Sequence, residues 1–274
     1  LKNIGLDENY KIEIVNSTDK DKREKYVKHL YKRLQREGQL ERDVDRLVRN
    51  DRIAWGASMI ACKDADAMVT GNIRHYAASI EKLKKVTDPR PGEEIFGMTM
   101  ITLKGKTILV ADTNVQEFPS PERLVKVSKS CVRVARLFGF DPKVAFLSHS
   151  TFGKPISKNT KHVRDAIELL KNENVNFDFD GEMQPDVALN PIYQEIYPFS
   201  KIVGNANILI MPALHSAAIS TKLMKVFGGG KLIGPLLIGL GSPIEVAPLR
   251  ATTSEILNLA SIAAYSSDVI DYSN

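Results

Sequence analysis

The chain has 274 residues, 43% of them hydrophobic and 26% charged, a composition typical of a globular protein with one large or two ordinary domains. No apolar run reaches the roughly 18 residues of a membrane helix, and no signal-peptide core opens the chain, so we expect a cytoplasmic protein that does not contact membranes. The formal net charge of +5 is spread among alternating signs, which argues against a nucleic-acid partner, and two cysteines without metal-binding spacing exclude a disulfide framework or a zinc site.

The first quarter of the chain is predicted to be mainly helical. Residues 10–15 alternate like a short strand, and a helix is expected from there to Gly38. Further helices are expected at 43–50 and, with small apolar residues beside a core tryptophan, at 55–61. Because Met59 is the first methionine, we expect the chain to be a piece of a longer protein or a processed product.

A buried strand is predicted at residues 65–71, followed by a helix up to about Val86 and a proline-rich linker at 87–92. Arg74 lies just past the strand end, where it could meet an anionic ligand. The alternative for this arginine is a surface ion pair, and the residues alone leave both open.

The middle of the chain predicts an antiparallel hairpin and a long helix. Residues 98–103 and 107–111 are rich in β-formers and flank a glycine turn. Ser120, followed by a proline and an acid, is typical of a helix start, and apolar residues then recur at three- and four-residue spacing until Gly139.

The stretch that we expect to bind a ligand follows a buried strand predicted at 144–147. A turn precedes the next helix, which is expected near residue 157. This turn holds hydroxyls and a glycine, at Ser148, Ser150, Thr151 and Gly153. At the carboxyl end of such a strand, hydroxyls, free backbone N–H groups and a helix N-terminus can converge on an anion. An ordinary strand-to-helix connection is the alternative.

Another strand is predicted at 207–212, ending at Pro212. Its loop carries His215 ahead of a helix at 217–227. A histidine at a strand end could do acid–base work, or it could serve only as a hydrogen-bonding loop residue.

Two further strands complete the pattern, at 177–182 and 233–240, and the latter is predicted to be the last. The acids of the first, Asp178 and Asp180, could be metal ligands or a general base, or else a solvated or hydrogen-bonded pair. A final helix is capped from Thr252. Strands and helices alternate throughout and the strands are continuously apolar, which predicts an α/β fold whose mainly parallel sheets are covered on both faces.

Five stretches resemble the phosphotransacetylase (phosphate acetyltransferase) family, in the same order along the chain. They are residues 64–71, 146–153, 180–189, 206–212 and 233–240. The most specific of them contains the run Asp180-Gly181-Glu182-Met183-Gln184.

The resemblance implies two three-layer α/β/α domains with the active site in a cleft between them. The first domain would comprise residues 1–96 plus 241–274, and the second residues 97–240. Family members usually dimerise, so we expect at least a homodimer. They move acetyl between coenzyme A and phosphate without a metal, using a base that deprotonates the thiol and a Ser-Arg pair that assists the thiol and the phosphate.

The chain departs from this pattern at positions that the resemblance would make catalytic. The Ser-Arg pair falls on Pro248 and Leu249, and the aspartate base falls on Glu255, which is therefore a weak catalytic candidate. Proline has neither a hydroxyl nor an N–H, and leucine cannot hold a phosphate. Arg250 lies one residue late, and Thr113 replaces the family's active-site cysteine. We expect a cleft that has lost most of its transfer rate.

With these departures the chain resembles the carboxyl-terminal phosphotransacetylase-like domain of the large bacterial NADP-dependent malic enzymes. The resemblance implies that a missing amino-terminal half of the same polypeptide decarboxylates malate with NADP and a divalent metal. The tail domain would assemble subunits and sense acetyl-CoA, without a cofactor or metal of its own.

Three hypotheses follow. In the first, a regulatory cleft binds acetyl-CoA or a related acyl-CoA through Ser148, Ser150, Thr151, Gly153, Arg74, Pro212, His215 and Arg250. In the second, the chain is an active phosphate acetyltransferase in which Arg250 and Glu255 substitute for the missing groups. In the third, it is a dimerisation domain without a ligand.

Overall fold

The computed structural model describes residues 12–270. Its helices are α1 Lys20–Leu34, α2 Glu41–Asn50, α3 Arg52–Ala61, α4 Tyr76–Val86, α5 Pro121–Leu137, α6 Lys161–Lys171, α7 Pro185–Leu189, α8 Leu214–Phe227 and α9 Thr253–Val269. Its strands are β1 Met68–Gly71, β2 Phe96–Leu103, β3 Lys106–Ala111, β4 Lys143–Leu147, β5 Asp178–Met183, β6 Ile208–Ile210, β7 Lys231–Ile238 and β8 Ile244–Ala247.

Six strands form the larger sheet, in the order β5-β4-β6-β3-β2-β7. The first four run parallel, and Val144 of β4 lies opposite both Phe179 of β5 and Ile208 of β6. Strand β2 pairs antiparallel with β3, which confirms the predicted hairpin, and antiparallel with β7. The predicted α/β fold with mainly parallel sheets is confirmed, although one end of this sheet is antiparallel.

The smaller sheet pairs β1 with β8 in parallel, with Met68 opposite Ile244. The prediction that residues 233–240 form the last strand is wrong, because β8 follows it. All four residues of β8 are buried, but the charged Glu245 among them disguises the apolar pattern of a buried strand. Strand β1 begins only at Met68 and is half-buried rather than buried as expected.

Local capping explains where several helices begin and end. The Ser120 hydroxyl accepts a hydrogen bond from a first-turn N–H of α5, and Pro121 opens the helix, as predicted. A capping box of Thr252 and Glu255 starts α9. Gly38, with φ 81°, ends the first helical segment in the left-handed conformation.

One predicted strand is not formed, and the starts of two predicted helices are displaced. Residues 12–15 form no strand, and residues 10–11 lie outside the described range. Helix α6 begins at Lys161 after a short 3-10 turn, rather than near residue 157. Helix α8 begins three residues early, because the carbonyl of Ala213 already accepts a helical hydrogen bond, and His215 therefore lies in its first turn rather than in a loop.

Helices cover both faces of the larger sheet. On one face Phe146 packs with side chains of α5 and α6, and on the other Ala145 packs with Val187 of α7 and Ala217 of α8. A separate cluster joins α1, α3 and the smaller sheet, and it includes the edge-to-face pair of Tyr26 and Trp55, with ring centroids 4.9 Å apart.

The strand directions place the loops that matter. Because β3, β4 and β6 are mutually parallel, the loops after them leave the same edge of the larger sheet, and the loops after β1 and β8 likewise share one edge of the smaller sheet. The division into domains at 1–96 plus 241–274 and 97–240 stays a prediction. Among residues 12–270, no helix is long and apolar enough to cross a bilayer.

Candidate functional site

The loop after β4 carries four of the predicted ligand-binding residues, and its hydroxyl side chains are buried. Ser150 is fully buried, and Ser148 and Thr151 are 6% and 7% exposed. The Ser150 N–H donates to Ser148 Oγ at 3.3 Å, and the two hydroxyl oxygens lie 3.1 Å apart. The hydroxyls therefore bond to one another inside the loop rather than pointing freely into solvent.

A buried carboxylate lies beneath this loop. The side chain of Glu182, near the end of β5, has no solvent exposure, and its Oε1 accepts from Ser150 Oγ at 2.6 Å and from Arg164 Nη1 at 3.0 Å. Arg164 also donates to Thr160 Oγ1 and to the Ser157 carbonyl. A buried charge is costly unless it is paired, so the guanidinium of α6 is what permits this carboxylate below the loop.

Backbone bonds fix the turn itself. Thr151 and Lys154 exchange both N–H···O bonds, and the Phe152 N–H donates to the Glu182 carbonyl at 2.7 Å. Phe152 and Gly153 adopt left-handed φ values of 48° and 84°. The aromatic ring of Phe152 packs against Phe199, with centroids 4.8 Å apart, so packing offsets the strain of a non-glycine residue in this region.

The loop after β6 lies at the same edge of the sheet. The carbonyl of Pro212 accepts a hydrogen bond from His162 Nε2 of α6 at 2.9 Å. His215 is exposed, and its ring lies 6.1 Å from that of Phe118 in the loop after β3. Helix α6 thus joins the β5 and β6 ends through Arg164 and His162.

The turn after β3 is held by one carboxylate. Asp112 is buried and accepts backbone N–H groups from Gly97, Asn114, Val115 and Gln116. The following residue, Thr113, is also buried, and its hydroxyl oxygen lies 3.1 Å from that of Thr99. Asp112 and Thr113 therefore form a rigid polar turn.

At the edge of the smaller sheet, Arg74 forms an ion pair. Its Nη1 lies 2.8 Å from Oδ2 of Asp51, while the other carboxylate oxygen of Asp51 caps α3. Burial raises the pKa of Asp51, but the hydrogen bonds from Arg74 and from two backbone N–H groups outweigh it and hold that pKa below its usual range. This is the ion-pair alternative that the sequence left open, although 41% of the Arg74 side chain remains exposed.

Arg250 lies in a tight turn after β8. The Ala251 N–H donates to the Pro248 carbonyl, and Arg250 has a left-handed φ of 59°. Its backbone N–H donates to the Asn72 carbonyl in the loop after β1, so Arg250 and Arg74 follow strands whose ends are joined by a hydrogen bond. The turn leaves the side chains of Leu249 and Arg250 exposed.

Glu255 is committed to other contacts. One carboxylate oxygen accepts from the backbone N–H and the hydroxyl of Thr252, and the other lies 2.8 Å from Lys225 Nζ of α8. The hydrogen bond from Lys225, followed by those from Thr252, lowers the pKa of Glu255. A carboxylate held in this way is a poor general base.

Sequence reasoning missed the Glu182–Arg164 pair and the Asp112 turn. Glu182 lies in the most specific of the resembling stretches, which was the one available signal. Arg164 lies 18 residues earlier on an amphipathic helix and had none. No group of three or more side chains suited to a metal ion occurs in the part of the chain that the structure describes, and Asp180 instead accepts from Ser200 and the Lys201 N–H.

A groove of about 1130 Å³ lies away from these loops, between α1, α9 and the amino ends of β1 and β8. Lys32, Asp88 and Ser242 are among its lining residues, and none of the predicted site residues is. The groove therefore does not coincide with the predicted site.

Comparison with known proteins agrees with the fold. The model of the family described as phosphate acetyl/butaryl transferase matches residues 1–264. An NADP-dependent malic enzyme of Rhizobium meliloti (strain 1021) is 44% identical over 254 residues, which are 93% of this chain and 33% of that protein. A probable NADP-dependent malic enzyme of Rickettsia prowazekii (strain Madrid E) is 38% identical over 96% of this chain and 36% of its own length. The chain thus spans about a third of these relatives.

Among solved structures, a phosphotransacetylase from Staphylococcus aureus superimposes with a TM-score of 0.85 at 25% identity. The match covers 97% of this chain and 82% of that one. These findings confirm the resemblance predicted from the sequence.

Proposed function

Because the chain belongs to the phosphate acetyl/butaryl transferase family, we propose that it is the regulatory and oligomerisation domain of an NADP-dependent malic enzyme. In this proposal it binds acetyl-CoA, or a related acyl-CoA, in a cleft that no longer transfers acetyl groups. The 44% identity to a third of the Rhizobium meliloti malic enzyme supports this assignment within the family.

The proposed loss of catalysis rests on the residues at the family's catalytic positions. The residue at the family's base position, Glu255, forms a capping box and an ion pair with Lys225. The two positions of the Ser-Arg pair hold Pro248 and Leu249, and the exposed turn around them is fixed by its own backbone bonds. In this proposal, the described residues at this edge supply neither a free base at position 255 nor the family's Ser-Arg pair.

The loop after β4 supports retained binding. Its turn is hydrogen-bonded to Glu182 and Gln184 beneath it, so its conformation is set before any ligand arrives. A preformed loop binds without a large ordering cost. Lys154 and Lys158 flank the loop and form no ion pair with another described residue. These basic side chains favour an anionic ligand such as the phosphates of acetyl-CoA.

Helix α8 supports assembly into at least a homodimer. Ile219, Leu223, Val226 and Phe227 follow helical spacing and are between 51% and 84% exposed. Such a stripe is unusual on the surface of a monomer and suits burial against a second copy of the chain.

The remaining parts of the proposal lie outside this chain. Oxidative decarboxylation of malate, with NADP and a divalent metal, belongs to an amino-terminal half of the same cytoplasmic polypeptide. The partial coverage of the malic enzymes supports the presence of such a half.

The proposal is tested first by acetyl transfer. The purified chain is mixed with acetyl phosphate and coenzyme A, beside Glu255→Gln and the control Glu168→Gln, an exposed glutamate on α6. We expect no acetyl-CoA formation above buffer in any of the three, together with saturable acetyl-CoA binding by calorimetry.

Each other outcome selects a different function. A robust rate that collapses only in Glu255→Gln would establish the alternative, an active phosphate acetyltransferase. Neither transfer nor binding would leave a dimerisation domain without a ligand. The regulatory part is tested by malate turnover of the full-length protein, which should change on adding acetyl-CoA.

A further inference from the structure

The hydroxyl groups of the loop after β4 have a fixed direction. Ser150 has one hydroxyl proton, and the 2.6 Å contact to Glu182 Oε1 uses it, because a carboxylate can only accept. Ser148 must then be the donor in its 3.1 Å contact with Ser150 Oγ. Both hydroxyl protons therefore point inward, that of Ser148 toward Ser150 Oγ and that of Ser150 toward Glu182 Oε1.

This direction leaves neither serine with a proton for an anionic ligand. Ser150 is also fully buried. Arg164 reinforces the arrangement because it bonds to the same oxygen of Glu182, at 3.0 Å, and so holds the carboxylate against the loop. A phosphate approaching these serines would meet oxygen lone pairs.

Three other donors in the same loop are available. Thr151 Oγ1 accepts from the Gln184 N–H at 3.2 Å, but its own proton goes to no acceptor among residues 12–270. The backbone N–H groups of His149 and Gly153 also donate to no described residue. The position that a Cβ of Gly153 would take has no atom within 4 Å, so there is open space beside this residue.

We infer that the anion donors of the loop are the Thr151 hydroxyl and the backbone N–H groups of His149 and Gly153. Ser148 and Ser150 are positioning residues, turned inward by Glu182. The inference rests on the proposed function in that the anion is taken to be a phosphate group of acetyl-CoA. It changes the assignment of the two serines from ligand contacts to supports.

The test measures acetyl-CoA binding by calorimetry, on the purified chain and on variants that each lack one hydroxyl. We expect Thr151→Val to weaken binding at least tenfold, since a hydrogen bond to a charged group is lost, and Thr151→Ser to restore it to within threefold. Ser148→Ala and Ser150→Ala remove a support but no donor to the anion, so each should weaken binding less than Thr151→Val does. Melting temperatures check that Thr151→Val, which also removes the acceptor for the Gln184 N–H, remains folded.

A loss in Ser148→Ala or Ser150→Ala as large as that in Thr151→Val would overturn the inference, as would normal binding by Thr151→Val. If the wild-type chain binds no acetyl-CoA, the proposed function fails, and inorganic phosphate becomes the probe for the same variants. Phosphate binding that depends on Thr151 would then sustain the inference, and its absence would overturn it.

Discussion

The polar side chains at the carboxyl edges of the two sheets differ in their burial and in their hydrogen bonding. At the larger sheet, the loop after β4 buries its hydroxyls over Glu182 and bonds every one of them. At the smaller sheet, the turn after β8 leaves Leu249 and Arg250 in solvent, and Glu255 is used to start a helix. The two edges therefore differ in what holds their side chains: a buried carboxylate with its counter-charge at the larger sheet, and a helix cap at the surface of the smaller sheet.

Each region also buries a glutamate, and each neutralises it differently. Glu182 has the guanidinium of Arg164. Glu245 of β8 has only the Leu237 N–H, at 2.9 Å, and burial raises its pKa to about 8. Tyr76 lies nearby with a hydroxyl that has no partner in the described part of the chain, and its own pKa is raised by burial and by Glu245. Glu182 in the larger sheet forms an ion pair, whereas Glu245 in the smaller sheet is protonated below its raised pKa.

The largest effect that we predict is the pH dependence caused by Glu245. Because its pKa is higher in the folded state than in the unfolded chain, the folded state binds the extra proton between about pH 4.5 and pH 8. The stabilisation from this proton is complete below that range, is lost progressively as the pH rises across it, and is absent above about pH 8. The free energy of unfolding should fall by up to about 1.4 kcal/mol per pH unit in this window, measured by urea denaturation.

Glu245→Gln should remove this slope, because an amide can accept from the Leu237 N–H without titrating. Glu195→Gln, at an exposed glutamate with no described partner, serves as the control and should retain the slope. A slope unchanged in Glu245→Gln would mean that the pH dependence has another source and that the two sheets do not differ in this respect.

The second effect concerns the paired glutamate. Arg164→Met would leave the Glu182 carboxylate buried without its counter-charge, and we expect a loss of about 2–3 kcal/mol in the free energy of unfolding. Lys161→Met on the same helix is the matched control, since the ion pair of Lys161 with Asp165 is exposed and should contribute at most about 0.5 kcal/mol. Equal losses in the two variants would contradict the view that Glu182 depends on Arg164.

Local signals explain why much of the fold could be predicted from the sequence. The start of α5 depends on Ser120 and Pro121, which are adjacent, and the start of α9 on Thr252 and Glu255, which are three apart. The strand at β4 and the loop after it are likewise visible as an apolar run followed by a turn. Each of these features is decided by neighbouring residues.

The rest depends on contacts that no local pattern contains. Glu182 meets Ser150 across 32 residues and Arg164 across 18, so neither the inward direction of the hydroxyls nor their burial could be read beforehand. The pairing of Arg74 with Asp51 was one of two readings, and only the position of α3 decides between them. Strand β8 was missed because its glutamate is neutralised by burial rather than placed in solvent.

The smallest predicted effect tests whether Glu255 at the edge of the smaller sheet caps α9 rather than serving in catalysis. Glu255→Gln keeps an oxygen for the Thr252 N–H and loses only the ion pair with Lys225, whose side chain is 57% exposed, so we expect at most about 0.5 kcal/mol of destabilisation. Glu255→Ala also loses the capping box and should cost about 1 kcal/mol. Lys225→Met should match Glu255→Gln, and both differences should shrink in high salt because the exposed pair is screened. Thermal unfolding of the three variants measures this order, and a Glu255→Gln variant that is more stable than the wild-type chain would instead indicate a carboxylate held at a cost for some purpose other than capping α9.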